Sequence, residues 1–154
     1  MSRPPKCRRV EHVPHLTYFK PAGVPLCDLE EVCLTVEELE SVRLKDYEGL
    51  EQEACAEKMG ISRPTFHRIV IAARAKIADA LVYGKAIRVN GGNFELAMEK
   101  IVCSNCNHEW EAPYRHTHKR GKCKGGSEVK QRRDVECPRC REKLADMHSA
   151  EKND

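Results

Sequence analysis

Aromatic side chains are scarce. Three Phe, four Tyr and one Trp among 154 residues give too little bulk for one large core, so the chain is expected to fold as one or two small domains. Long apolar runs are missing as well. None approaches the roughly 18 residues that a membrane-spanning helix needs. The opening Met1-Ser2-Arg3-Pro4-Pro5-Lys6 has no apolar segment of the kind a secretory signal requires. A cytoplasmic protein without membrane contact is expected. The sequence also lacks a glycine-rich phosphate loop and any nucleophile–base set, which argues against an enzyme. Apart from one pair of cysteine knuckles, nothing repeats.

Cysteine, by contrast, is abundant, with nine in the chain. Without a signal peptide, such usage favours metal ligands and free thiols over disulfides. Four of the nine form two knuckles, Cys103-Ser104-Asn105-Cys106 and Cys137-Pro138-Arg139-Cys140. Two thiolate pairs are what a tetrahedral Zn²⁺ site takes. Strand-like segments flank them at 100–102, 108–112 and 134–136, and Trp110 is expected to pack over the site. This layout resembles a zinc ribbon. The gap between the knuckles and the Cys137-Pro138-x-Cys140 sequence are also similar to rubredoxin, which makes iron the alternative metal. Rubredoxin knuckles usually carry glycine where Asn107 and Arg141 stand here. His108, His116, His118 and Cys123 are possible substitute ligands, with Cys123 read as a free thiol. Cys7, His12, His15 and Cys27 match no ligand spacing, and Cys55 reads as a core residue.

The net charge of +3 conceals a pattern. Residues 1–27 hold five bases and one acid, and residues 28–58 hold three bases and eleven acids. Residues 113–133 return to eight bases and one acid. Five of the eight prolines fall within residues 1–27, which predicts an extended arm. Its Arg3, Lys6, Arg8 and Arg9 either enter a DNA minor groove or remain a solvated tail. Phe19 to Leu26 is apolar enough to pack on the rest of its domain. The acidic block is read as a solvated helical face or a partner surface. The basic loop, with Arg115, Lys119, Arg120, Lys122, Lys124, Arg132 and Arg133, is read as a second, sequence-independent nucleic-acid contact.

Between these blocks lie helix signals. Thr35-Val36-Glu37-Glu38 is a capping box and Gly49 a stop, which predicts a first helix. A second is expected over 51–59 with Gly60 as its stop. A third covers 62–82, with Ser62 as N-cap, Pro64 in the first turn and Gly84 beyond the end. Its apolar stripe is Phe66, Ile69, Val70, Ala73, Ile77, Ala80 and Leu81. Ala56 at a close crossing, Gly60 at the turn, and Cys55, Met59, Ile61, Phe66 and Ile69 facing inward fit a helix-turn-helix over about 52–71. The exposed face of the third helix then meets the major groove. Arg63, Thr65, His67 and Arg68 are its base-contacting candidates, while Arg74 and Lys76 are candidates for phosphates. A short strand at 86–89, a turn at 90–93 and a linker or short helix over 94–101 complete the first domain.

Leu34-Thr35-Val36-Glu37-Glu38-Leu39-Glu40, Leu44-Lys45-Asp46-Tyr47-Glu48-Gly49-Leu50, Met59 to Phe66, Ala78 to Lys85 and Phe19 to Leu26 together resemble the uncharacterised protein family 0251 (domain of unknown function 134). The resemblance covers about residues 1–95. It implies a fold like the fourth region of sigma factors and contact with DNA, without a known target, and does not extend to the C-terminal third. The expected fold is therefore mainly α. A helix-turn-helix domain over 1–96 precedes a small β, zinc-ribbon-like module over 97–154. The expected function is a DNA-binding transcription regulator of double-stranded DNA, possible as a homodimer. A module docking on RNA polymerase or RNA and a metal- or redox-responsive regulator are the alternatives.

Overall fold

The computed structural model describes residues 6–113 and 135–144. They form two compact units, dividing at Ala97/Met98. Among the described residues there are three α-helices and nine strands in four small sheets. The expectation of a mainly α fold is therefore wrong: both units are mixed or β. The missed strands have two to five residues, too short for period-two alternation to stand out in sequence.

The first unit opens with β1 (Arg8–Val10) and β2 (Tyr18–Phe19), so the proline-rich arm is extended but folded in. β3 (Glu31–Leu34) falls in the acidic block just before the expected first helix, where no strand was expected. Then come α1 (Val36–Val42), a wide π-type turn (Arg43–Tyr47), α2 (Gln52–Lys58) and α3 (Arg63–Tyr83). β4 (Ala86–Val89) pairs in parallel with β3, Leu34 opposite Val89, and antiparallel with β2, Phe19 opposite Ile87. Parallel neighbours need a long crossover, and α1 to α3 supply it. β5 (Phe94–Leu96) pairs in parallel with β1. Together with the strand that follows it at Met98–Val102, it replaces the linker or helix expected over 94–101.

Local signals act as the sequence suggests around α1. Thr35 Oγ1 accepts from the Glu38 amide at 3.3 Å, and Glu38 Oε2 accepts from the Thr35 amide at 2.9 Å. Ser62 occupies the N-cap of α3, but its hydroxyl bonds to Thr65 Oγ1 at 2.8 Å rather than to an amide. α3 spans two apolar clusters. Its Phe66 and Val70 join Leu44, Cys55, Ala56 and Met59. One turn on, Ala73 joins Val10, Leu34, Val36 and Val89. Leu81, expected on the buried stripe, is 75% exposed; Ala80 is the last buried residue of α3.

The acidic block is a solvated face only in part: Asp28, Glu30, Glu31, Glu51, Glu53 and Glu57 are exposed, but the acids of and after α1 are drawn into the fold. Glu37 and Glu40 are buried, and so is Arg43. The Arg43 guanidinium binds Glu40 Oε2 and Glu11 Oε2 at 2.7 Å each and also pairs with Glu48. Glu11 in turn takes Lys58 at 2.8 Å. The N-terminal arm, α1 and α2 thus share one ion network.

Glu37 fixes the turn before β5. Its Oε1 accepts from the Asn93 amide at 3.3 Å, and Gly92 lies directly against its carboxylate. A Cβ at Gly92 would sit 2.8 Å from Glu37 Cδ, at a φ of +107°. Gly91 also has a positive φ but nothing near it. Gly91→Ala is expected to cost only the left-handed backbone strain, about 1–2 kcal/mol. Gly92→Ala is expected to cost clearly more, because it also displaces a buried carboxylate. Urea titration of the two variants side by side checks the order, and equal midpoints would refute it.

The second unit is two antiparallel hairpins. β6 (Met98–Val102) pairs with β7 (Glu109–Pro113), Ile101 opposite Trp110. β8 (Val135–Glu136) pairs with β9 (Lys143–Leu144).

Candidate nucleic-acid interface and metal centre

The start of α3 presents Arg63, His67 and Arg68 exposed, with Thr65 half-buried. Among the described residues, Arg68 bonds only to the Pro64 carbonyl one turn earlier, at 3.4 Å. Arg63 lies 3.1 Å from Glu53, both side chains well exposed, a pairing easily exchanged in water. His67 Nδ1 is 3.4 Å from Gln52 Nε2. Further along, Arg74 holds Asp46 at 2.6 and 3.1 Å, and that carboxylate raises the Arg74 pKa. Lys76 donates to both oxygens of Glu38 at 2.8 and 2.9 Å. Contact of either base with a phosphate would require it to exchange its carboxylate. Ile71, Ala72 and Ala75 share the exposed surface of α3.

The arm meets this surface in a way the sequence does not announce. The Arg9 amide donates to the Met59 carbonyl at 2.9 Å, and Lys6 Nζ donates to the Gly60 carbonyl at 2.9 Å. The Arg9 guanidinium lies over Gly60, where a Cβ would come within 2.9 Å of its Nε. With φ at +65°, Gly60 is needed twice, for the turn and for the close approach. Arg8 Nη1 is 3.6 Å from Glu37 Oε1. Arg8 Nε and Glu37 Oε2 are buried without a hydrogen-bond partner. Arg3 and the loop residues Arg115, Lys119, Arg120, Lys122, Lys124, Arg132 and Arg133 lie outside the described residues, as do His116, His118 and Cys123.

In the second unit the four knuckle cysteines converge. Their sulfurs all lie within 4.8 Å of one another, with Cys103–Cys140 and Cys106–Cys137 at 3.6 Å. Tetrahedral zinc with bonds of about 2.3 Å sets sulfurs roughly 3.8 Å apart, so four thiolates in this arrangement fit a metal ion. The two knuckles are built alike. The Asn107 amide donates to the Cys103 carbonyl and the Arg141 amide to the Cys137 carbonyl, each at 2.9 Å. The Cys103 amide donates to the His108 carbonyl and the Cys137 amide to the Glu142 carbonyl, again at 2.9 Å. Asn107 and Arg141 take φ values of 53° and 59°, the conformation for which glycine is the usual choice.

Two of the four thiols, Cys106 and Cys137, are shifted in opposite directions. The His108 amide pulls the Cys106 thiol down, but burial and the three neighbouring sulfurs push it up to about 12. Burial pushes Cys137 up, yet the amides of Cys140 and Arg139 and the Cys106 and Cys140 thiols bring it down to about 7. Such mutual strain is what a divalent cation relieves, by taking all four as thiolates. His108 stacks on Trp110, ring centres 6.0 Å apart and 14° from parallel.

The profile of the family described as "Protein of unknown function DUF134" matches residues 1–97, the extent of the first unit. Relatives carry the name "UPF0251 protein". That of Desulforudis audaxviator is 67% identical over 111 residues, 72% of each chain. That of Moorella thermoacetica is 58% identical over 140 residues, 91% of this chain and 83% of its own. The second alignment therefore runs well past residue 97. No solved structure matches the chain. Among the described residues, no helix is long and apolar enough to cross a membrane.

Proposed function

We propose, for a chain that belongs to the DUF134 (UPF0251) family, that it is a DNA-binding transcription regulator with a structural zinc ion. α2, the Gly60 turn and α3 act as a helix-turn-helix, and α3 enters the major groove. Arg63, Thr65, His67 and Arg68 face the base edges. Arg68 is suited to bidentate contact with guanine. The observation that carries this reading is the exposed start of α3, where Arg68 has no carboxylate partner among the described residues. Docking on RNA polymerase through the acidic block is the second reading: Glu37 and Glu40 are buried and Glu38, Asp46 and Glu48 are taken by bases, which leaves Asp28, Glu30, Glu31, Glu51, Glu53 and Glu57 exposed for it. Cys103, Cys106, Cys137 and Cys140 hold the ion. Four thiolates leave zinc no open position, which fits a structural role rather than a catalytic one.

The test is selection of bound fragments from genomic DNA by the zinc-loaded protein at physiological salt, repeated with Arg68→Ala. Wild type is expected to enrich one short motif, and two-fold symmetry in it would identify a homodimer. Arg68→Ala is expected to lose about 1–3 kcal/mol of discrimination at one base pair, with sequence-independent binding retained. Unchanged preference in the variant would remove α3 as the reading helix. Salt-sensitive binding with no motif would remove the regulator assignment and favour RNA or polymerase as partner. Affinity that depends on chelator or oxidant would mark the metal-responsive variant of the same function.

A further inference from the structure

The arm does more than close a sheet. Lys6 and Arg8 line a shallow cleft together with Gly60, Ile61, Ser62 and Thr65, and Arg9 lies against Gly60 at its edge. From this we infer that the cleft between β1 and the start of α3 is a phosphate-binding site, which in the DNA complex seats one backbone phosphate beside the major groove. The inference rests on the DNA-binding reading for its natural ligand, but the cleft's chemistry stands independently of any target sequence.

Three observations carry it. First, two of the three basic residues around the cleft are not spent on carboxylates, Arg8 alone being paired, with Glu37. Lys6 uses one ammonium proton on the Gly60 carbonyl and forms no ion pair among the described residues, and the same holds for Arg9. Arg63, Arg74 and Lys76 on the same helix are all paired. Second, Arg8 lines the same cleft and adds a third positive charge there, its Nη1 3.6 Å from Glu37 Oε1. Third, the first turn of α3 contains no acid, in contrast with α1 and α2. The Ser62 and Thr65 hydroxyls bind each other there, leaving the first amides of the helix uncapped by a side chain. Lys6, Arg9, these hydroxyls and these amides are the donor types that position phosphate without reading sequence.

This placement also redirects the arm. Residues 8–10 are fixed in β1 by pairing with β5, and Lys6 and Arg9 are held at the turn before α3. Their role is therefore to grip the backbone next to α3, not to reach into a minor groove.

The experiment measures DNA affinity against salt for the full chain and for Lys6→Gln/Arg9→Gln. Losing this one phosphate contact is expected to lower the slope of log K against log salt by about 1, with the preferred motif unchanged. An unchanged slope would overturn the inference. A selective loss of preference at flanking A·T pairs would also overturn it, in favour of a minor-groove arm. If the variant folds poorly, the wild-type chain decides. The Arg63 and Thr65 amide resonances are followed during titration with duplexes of unrelated sequence and with inorganic phosphate, with Ile87 in β4 as a distant control. Shifts of both amides with any duplex, saturating well below the inorganic phosphate concentration needed, support the backbone-phosphate site. Saturation by inorganic phosphate alone assigns the cleft to a free phosphate and overturns the nucleic-acid source. Should no motif emerge in the selection while both amides still respond to duplex, the regulator reading fails and the phosphate site stands. No response to either probe sinks the site.

Discussion

Removing the metal from zinc-loaded protein with a chelator is expected to unfold residues 98–113 and 135–144 while the first unit melts as before. The second unit has little else to hold it. Its buried apolar residues, among those described, are Ile101, Cys103 and Cys137, and its second hairpin has two residues per strand. Structural zinc in modules of this size contributes on the order of 10 kcal/mol at neutral pH, far more than such a core supplies. The first unit carries two apolar clusters of its own. Trp110, half-buried in β7, is the chain's one tryptophan, so its emission should report only the second unit. The expected result is a large red shift of that emission on chelation, reversed by added zinc, with the helical circular dichroism little changed. Emission indifferent to chelator would mean that the hairpins fold without metal, and the structural role would fall. Cys103→Ser should mimic chelation, because it removes one of four ligands from the centre of the fold. The other metal has its own signature: visible thiolate-to-iron(III) charge-transfer absorption in air-oxidised protein as isolated would replace zinc by iron.

Where a signal is local, the sequence was legible. Thr35 and Glu38 stand three residues apart, and their reciprocal bonds follow from helix geometry alone. Gly60 and Gly84 ended helices where they were expected, and the Cys-x-x-Cys spacing brought each sulfur pair together without knowledge of the rest. What failed was pairing over distance. β1 meets β5 across some 86 residues, and β3 meets β4 across the whole helical region. No short-range pattern in Arg8-Arg9-Val10 or Glu31-Val32-Cys33-Leu34 specifies a partner so far away. The mainly α expectation followed from that blindness. Electrostatics failed in the same way. A block of eleven acids and three bases reads as a solvated face until the chain folds and brings Glu11, Glu40 and Glu48 around Arg43, Glu38 to Lys76, and Asp46 to Arg74. The grip of Lys6 and Arg9 on the Gly60 turn likewise has no signature beyond a basic N-terminus, because its partner is more than fifty residues away.

Arg43→Ala is expected to destabilise the first unit by about 3–5 kcal/mol. The guanidinium is 7% exposed and answers carboxylates from three segments: Glu11 in the arm, Glu40 in α1 and Glu48 after the π-type turn. Deleting it leaves Glu40, 1% exposed, as a buried charge without its counter-ion, and that orphaned charge supplies most of the cost. The double variant Arg43→Met/Glu40→Leu should therefore recover much of the loss, because burying two apolar side chains of similar size avoids desolvating either charge. The network also gives stability a pH dependence of defined sign. Burial alone would raise the Glu11 pKa, but bonds from Lys58 and Arg43 outweigh it and hold the value below the ordinary 4.5. A carboxylate whose folded pKa is depressed adds stability that is fully present above its unfolded pKa and lost as pH falls through the folded one. The wild-type unit should thus lose this contribution on acidification from about pH 5 downward. In Arg43→Ala the Glu11 pKa moves back toward 4.5, so the acid limb of the stability curve should flatten. Urea midpoints of both proteins between pH 3 and 7, set at about half-unit steps, make the comparison. Parallel acid limbs would show that Arg43 acts through packing alone.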